Sequence, residues 1–266
     1  MEPEPRSFYS PLPTHNPRRF HFPVARIGCV GRPERQFMMG GVGLGSAIAA
    51  LERTTGRPLV WATAQYLSYA APDQVVDIDV HIPVTGKRVT QARVISHVGE
   101  REIITVNAAL GSQEGKPSEQ FESMPAVPPP GACEPAVPFM GTPDDLHSRI
   151  ERRIVPNESD DHPGQARVWI RSVVDEPVTA GLLAVFADFL GGAIPVTRGC
   201  TSLDNTLRVR ELVPTRWVLL DVRTHGIASG FFHGEMCLFA EDGTLLATAG
   251  QSGMLPREPW PSSSSS

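Results

Sequence analysis

The chain has 266 residues, 41% hydrophobic and 20% charged, the balance of a globular protein with room for one large domain or two ordinary ones. A net charge of -5 and a pI near 5.9 argue against a general nucleic-acid binder, which presents a basic face, and leave an anionic ligand only to a local basic patch. Cys29, Cys133, Cys200 and Cys237 form no CxxC or metal-finger spacing, so free thiols in a reducing cytoplasm are expected.

Residues 1–19 are rich in Pro, Ser, Arg and Asn and are expected to form a flexible arm over the surface, with no apolar leader in MEPEPRSFYS. Residues 19–27 alternate weakly, as a first strand would. A helix follows over 38–56. Leu44, Ala47, Ile48 and Leu51 fall at i, i+3, i+4 and i+7, small residues cover much of the rest, and Gly56 and Pro58 stop it. So little polar surface predicts a buried helix. Strands are then expected over 60–69, 75–82, 87–97 and 102–110, the last two joined by a short turn at Gly99. Residues 112–145 are crowded with proline and read as an extended surface linker between two domains.

The pattern then recurs. Residues 146–155 and 166–173 read as strands, and 178–190 as an apolar helix with Leu182, Val185, Phe186 and Phe189 on one face. Strands follow over 202–210, 216–223, 227–239 and 244–249, and the serine-rich tail from 256 to 266 is expected to be disordered. The run 180–190 is interrupted by Asp188 and is shorter than the roughly 20 residues of a membrane span, so no membrane insertion is expected. The halves superpose in order: Gln65 on Asp204 (204 − 65 = 139), Thr85-Gly86 on His225-Gly226 (225 − 85 = 140) and Ala109 on Gln251 (251 − 109 = 142). This predicts a duplication, 20–111 and 146–255, each an antiparallel sheet wrapped around a buried helix.

Several stretches carry a resemblance. They are Met39-Gly40-Gly41, Thr85-Gly86-Lys87, Met124-Pro125, Val168-Trp169-Ile170-Arg171, Ala187-Asp188-Phe189, Ser202-Leu203-Asp204, Gly234-Glu235, Glu241-Asp242-Gly243 and Gln251-Ser252-Gly253. In order and spacing, over residues 35–255, the chain resembles the acyl-CoA thioesterase II family. The resemblance implies an α+β tandem hot-dog fold and hydrolysis of acyl-CoA to fatty acid and CoA, with no cofactor or metal. It also implies a homodimer of the double hot-dog. In that family an aspartate, a glutamine and a hydroxyl residue hold the attacking water. The match places Asp204 as the base and Gln251 beside it, with His225 or its neighbour Thr224 in the hydroxyl position. Gly40 and Gly41, at a helix N-terminus with unpaired N–H groups, would receive the carbonyl oxygen.

Each residue also has a plainer reading. Asp204 alternates with Leu203 and Leu207, as a solvent-facing strand residue would. His225-Gly226 suits a bulge, and Cys200 a buried thiol. Asp188 is either an active-site acid or a buried, hydrogen-bonded structural carboxylate. Phe186, Phe189 and Leu190 suit core packing as well as an acyl pocket. The glycines of 41–45 fit close helix packing better than a dinucleotide loop, since no acid follows at the required distance. A non-catalytic acyl-CoA or lipid-binding protein is the alternative function, motivated by His225. A hot-dog hydratase is weaker, because the Asp204 segment lacks a nearby histidine.

Overall fold

A computed structural model describes residues 7–113, 115–137, 142–156 and 163–257. In chain order the elements are β1 (Leu12–Pro13), β2 (Arg19–Pro23), β3 (Cys29–Arg32), β4 (Arg35–Met38), α1 (Gly40–Thr55), β5 (Leu59–Tyr66), β6 (Val75–Thr85), β7 (Val89–Val98) and β8 (Arg101–Gly111). The second half holds β9 (Glu134–Pro135), β10 (Ile150–Ile154), β11 (Gln165–Ser172), α2 (Ala180–Ala187), β12 (Thr201–Ser202), β13 (Asp204–Val209), β14 (Val218–Ala228), β15 (Phe231–Ala240) and β16 (Leu245–Met254). The fold is α+β, two central helices against one large antiparallel sheet.

Leu44, Ala47, Ile48 and Leu51 are all fully buried, as their spacing requires. Gly56 ends α1 in the left-handed conformation at φ 64°, its N–H bonded to the Glu52 carbonyl. α2 is shorter than its apolar run. Thr179 caps it by accepting from the Leu182 N–H at 3.1 Å, and the helix stops at Asp188 before a 3-10 turn at Leu190–Gly192. The helices run antiparallel and very close. A Cβ on Gly41 would lie 2.7 Å from the Ala184 carbonyl oxygen, and one on Gly45 2.7 Å from that of Gly181. Close packing is therefore what these glycines provide.

The sheet runs β1-β2-β6-β7-β8-β5-β13-β16-β15-β14-β11-β10-β9. The order β6-β7-β8-β5 is mirrored by β13-β16-β15-β14, so the halves meet edge to edge at β5·β13. Gln65 stands directly opposite Asp204 there. The two residues equated by the repeat are thus partners across the join. Within each half the apolar side chains alternate inward onto its helix.

Three expectations change in detail. Residues 29–38 form a small hairpin, β3-β4, half-buried at the entry to α1. The strand expected over 146–155 is a 3-10 turn followed by β10. The arm is anchored: Tyr9 is buried, its hydroxyl 2.7 Å from Thr179 Oγ1. The linker is extended but not loose. Trp169 Nε1 donates to the Pro128 carbonyl at 2.9 Å, and Gln120 bonds both Gly243 and Leu245. Under it Cys133, Val155, Trp169, Leu219, Phe239 and Leu245 form a second small core. Residues 258–266 of the expected tail lie outside the described residues. Among the described residues no helix is long and apolar enough to cross a membrane.

Candidate active site

The N-terminus of α1 has no local side-chain cap, because Met39 stands at the cap position. Its cap comes from the other repeat: Gly41 N–H donates to Asp188 Oδ2 at 2.7 Å. Asp188 is the lone charge of the α2 segment, and it is held on three sides. Gln251 Nε2 donates to Oδ1 at 2.5 Å, and the Ser202 hydroxyl lies 3.3 Å from the same oxygen. Gln251 is itself fixed. Its Oε1 accepts from the Gly191 N–H at 3.1 Å, which turns Nε2 toward Asp188 and toward Ser202 Oγ at 3.0 Å. Asp188 and Gln251 are 8% and 3% exposed.

Burial pushes the Asp188 carboxyl up to about 6, against the pull of its bonds from Gly41, Gln251 and Ser202. A carboxylate at that value is poised to exchange a proton near neutral pH. The positive end of α1 favours its charged form.

Two further residues close the site. The phenol end of Tyr66 lies against Gly40, where a Cβ would be 2.7 Å from Tyr66 Cζ. The Tyr66 hydroxyl is buried without a partner, and so are both polar atoms of the Asn205 side chain. Burial raises the Tyr66 phenol, with Asp188 and Asp204 adding to it and Asn205 opposing. Asn205 also faces Asp188. Asn205 thus faces both Tyr66 and Asp188 without closing a well-formed hydrogen bond to either, which leaves polar capacity beside the carboxylate.

The structure brings together Gly40, Gly41 and Gln251 from the sequence expectation, and adds Asp188, Ser202, Tyr66 and Asn205. Asp204 stands at the rim of this group, near enough to Tyr66 to raise its phenol but without a hydrogen bond to Asp188, Gln251 or Tyr66. β13 alternates, so Asn205 and Leu207 point inward while Asp204 points away from the helices. Asp204 Oδ1 instead accepts from the Ser252 N–H at 2.6 Å, tying β13 to β16. Thr224 pairs with Gly234, which pairs with Gln251, so it stands two strand spacings, about 10 Å from backbone to backbone, from the glutamine on the same inward face, and its hydroxyl is buried without a partner. His225 is the extra residue of a β-bulge, 3.7 Å from the exposed Glu235. Cys200 is a structural thiol bonded to the Gly191 carbonyl, pushed up by burial to about 12. Phe186 and Leu190 are core residues.

The signal for Asp188 was present as one charge in an apolar helix. The signal for Asn205 was its shared parity with Leu207. Ser202 and Tyr66 gave none, because a hydroxyl near a strand end has many ordinary roles.

Residues 122–255 match the family model described as the acyl-CoA thioesterase C-terminal domain. No curated protein matches the sequence. Among solved structures, a candidate thioesterase from Novosphingobium aromaticivorans is 31% identical, with a TM-score of 0.87 over 93% of this chain and 98% of that one. A tesB protein of Mycobacterium avium subsp. paratuberculosis is 20% identical, with a TM-score of 0.76 over 92% of this chain and 95% of that one. The acyl-CoA thioesterase II TesB2 of Mycobacterium marinum is 19% identical, with a TM-score of 0.74 over 94% and 96%. The last two share the fold. The duplicated sheet, the helix pair and these matches place the chain in the acyl-CoA thioesterase family, with its double hot-dog fold.

Proposed function

We propose that the chain hydrolyses acyl-CoA thioesters to a carboxylic acid and CoA, with Asp188 as the general base. The observation that carries this reading is the buried carboxylate, raised to about 6, held by Gly41, Gln251 and Ser202 at the junction of the repeats. Gln251 and Ser202, both donating to Asp188 Oδ1, are the groups that would hold the attacking water beside the carboxylate.

Asp188 takes a proton from this water as its oxygen attacks the thioester carbonyl carbon. The carbonyl oxygen becomes negative and is met by the first N–H groups of α1 at Gly40 and by the unpartnered Tyr66 hydroxyl. The intermediate collapses, the C–S bond breaks, and the departing thiolate takes the proton held by Asp188. Asn205 supplies the remaining unpaired polar atoms around the carbonyl. The proton taken from water is the one returned to sulfur, so Asp188 ends the cycle ionised as it began. The non-catalytic alternative was motivated by His225, which lies in a β-bulge, and CoA release separates the two readings.

The test is CoA release, read with a thiol reagent, from a panel of straight and branched acyl-CoAs. Wild type, Asp188→Asn, Gln251→Ala and Asp204→Asn are compared. Asp188→Asn is expected to lose activity by a factor of about 10² to 10⁴, the usual weight of a general base. Asp204→Asn is expected to stay within a few-fold of wild type. Collapse in Asp204→Asn with turnover kept in Asp188→Asn would return the base to Asp204. Equal, negligible release from all four would sink the hydrolase reading.

A further inference from the structure

The chain is acidic overall, yet one exposed cluster close to α1 is basic and aromatic. Tyr69 is 50% exposed and Phe37 36% exposed, and their rings meet edge-on with centroids 6.4 Å apart. The guanidinium carbons of Arg35 and Arg101 lie 5.9 Å and 5.7 Å from the Tyr69 ring centroid. Arg101 is held in place, donating to Ser68 Oγ and to the Tyr69 carbonyl at 2.8 Å. Glu34, Glu100 and Glu102 are chain neighbours of the two arginines. Even so, among the described residues neither arginine takes part in an ion pair. Two guanidinium groups without carboxylates, on an exposed aromatic surface, are complementary to a planar base carrying phosphate.

The position of the cluster gives it meaning. Phe37 and Arg35 lie on β4, which runs through Met38 and Met39 into Gly40. Tyr69 follows Tyr66, whose ring covers Gly40, by three residues. Met38 N–H bonds the Ala70 carbonyl at 2.8 Å, so the two segments lie side by side. Each spans at most about 10 Å from the reacting centre to the aromatic pair. Both segments that end at the site therefore carry this surface at their outer ends.

We infer that Tyr69, Phe37, Arg35 and Arg101 form the binding platform for the phosphorylated adenosine of the thioester substrate. The base stacks on Tyr69 against Phe37, and the phosphates engage the two guanidinium groups. This rests on the thioesterase reading, and it commits the substrate to a nucleotide-bearing thiol carrier rather than a protein carrier.

The experiment compares an acyl-CoA with the matching acyl-pantetheine, which has the same thioester and no nucleotide. Wild type, Tyr69→Ala, Tyr69→Phe, Arg35→Gln and Arg101→Gln are assayed, and 3'-phosphoadenosine 5'-phosphate is titrated calorimetrically into each. Wild type is expected to show a KM for acyl-CoA at least tenfold below that for acyl-pantetheine. Tyr69→Ala and each Arg→Gln variant lose about tenfold of that preference, the weight of one charge-assisted contact or one stacked base. Tyr69→Phe keeps it. Raised salt erodes the preference in wild type and erodes it less in the Arg variants. Equal KM values for the two substrates in wild type overturn the platform, as do variants that shift both substrates alike. A preference for an acylated carrier protein that the same variants abolish overturns the nucleotide assignment. Nucleotide binding that is lost in Tyr69→Ala, in a protein that turns over no thioester, upholds the platform and overturns the hydrolase reading. Turnover without nucleotide binding does the reverse.

Discussion

The two repeats share a topology and differ in what their helix ends carry. At one end of the helix pair, α1 begins without a side-chain cap and is capped by Asp188 from α2. At the other end, α2 is capped locally by Thr179, and Tyr9 lies over Gly181 and Gly45 with its hydroxyl on Thr179. In the first repeat the position corresponding to Asp188 holds Ile48 (188 − 140 = 48), which is fully buried. Duplication produces two equivalent helix crossings. One is loaded with a carboxylate, a glutamine and a serine, and the other is filled with an aromatic ring. A duplicated fold built this way carries one polar interior, and the desolvation cost of a second is avoided.

The outer faces differ as well. The second repeat buries Trp169, Leu219 and Phe239 beneath the proline-rich linker. The first repeat carries Gln91, Arg93 and Asn107 on the corresponding side, around a shallow depression beside Trp61. The linker therefore acts as a cover for one repeat, and its extended backbone follows from its prolines.

The largest effect is expected at the loaded crossing, where Asp188→Asn lowers kcat/KM by a factor of about 10² to 10⁴. Adding an acid at the other crossing, Ile48→Asp, is expected to unfold the chain and not to create a second site. It would bury a charge with no donors, which circular dichroism would report.

The pH profile separates the two crossings next. With Asp188 as the proposed base, kcat/KM is expected to fall about tenfold per unit below a midpoint near pH 6. Stability moves the opposite way. A carboxyl raised from 3.8 to about 6 favours the folded state fully below about pH 4 and loses that contribution as pH rises through about 6. Denaturant titrations at pH 5 and pH 8 would show this slope in wild type and its absence in Asp188→Asn.

Gly41→Ala and Gly45→Ala test the shared crossing. Each Cβ would press on a backbone carbonyl of α2 at 2.7 Å, and a loss of about 1–3 kcal/mol is expected from either in chemical denaturation. Only Gly41→Ala should also lower kcat, because it displaces the donor to Asp188. The smallest effects belong to the filled end and the cover. Tyr9→Phe removes one hydrogen bond, worth about 1 kcal/mol, Trp169→Phe removes one bond together with buried ring volume and costs more, and both leave the pH midpoint of hydrolysis in place. A shifted midpoint in Tyr9→Phe would show that the two ends are coupled.

The sequence alone determined the elements and their duplication, since burial of one helix face and one sheet face leaves a period that can be counted. Leu44, Ala47, Ile48 and Leu51 specify the depth of α1, and the offset of 139 between Gln65 and Asp204 marks the join at β5·β13. It determined the family as well, through motifs spread along the chain. The acid at the centre was decided by the tertiary structure. Motif matching names Asp204, which stands at the start of β13 with the opposite parity to Leu207. Asp188, Ser202, Gln251, Gly41 and Tyr66 come from both repeats and carry no common spacing. Only the antiparallel crossing of two glycine-lined helices brings a carboxylate onto a helix N-terminus, and only burial there lifts it to about 6.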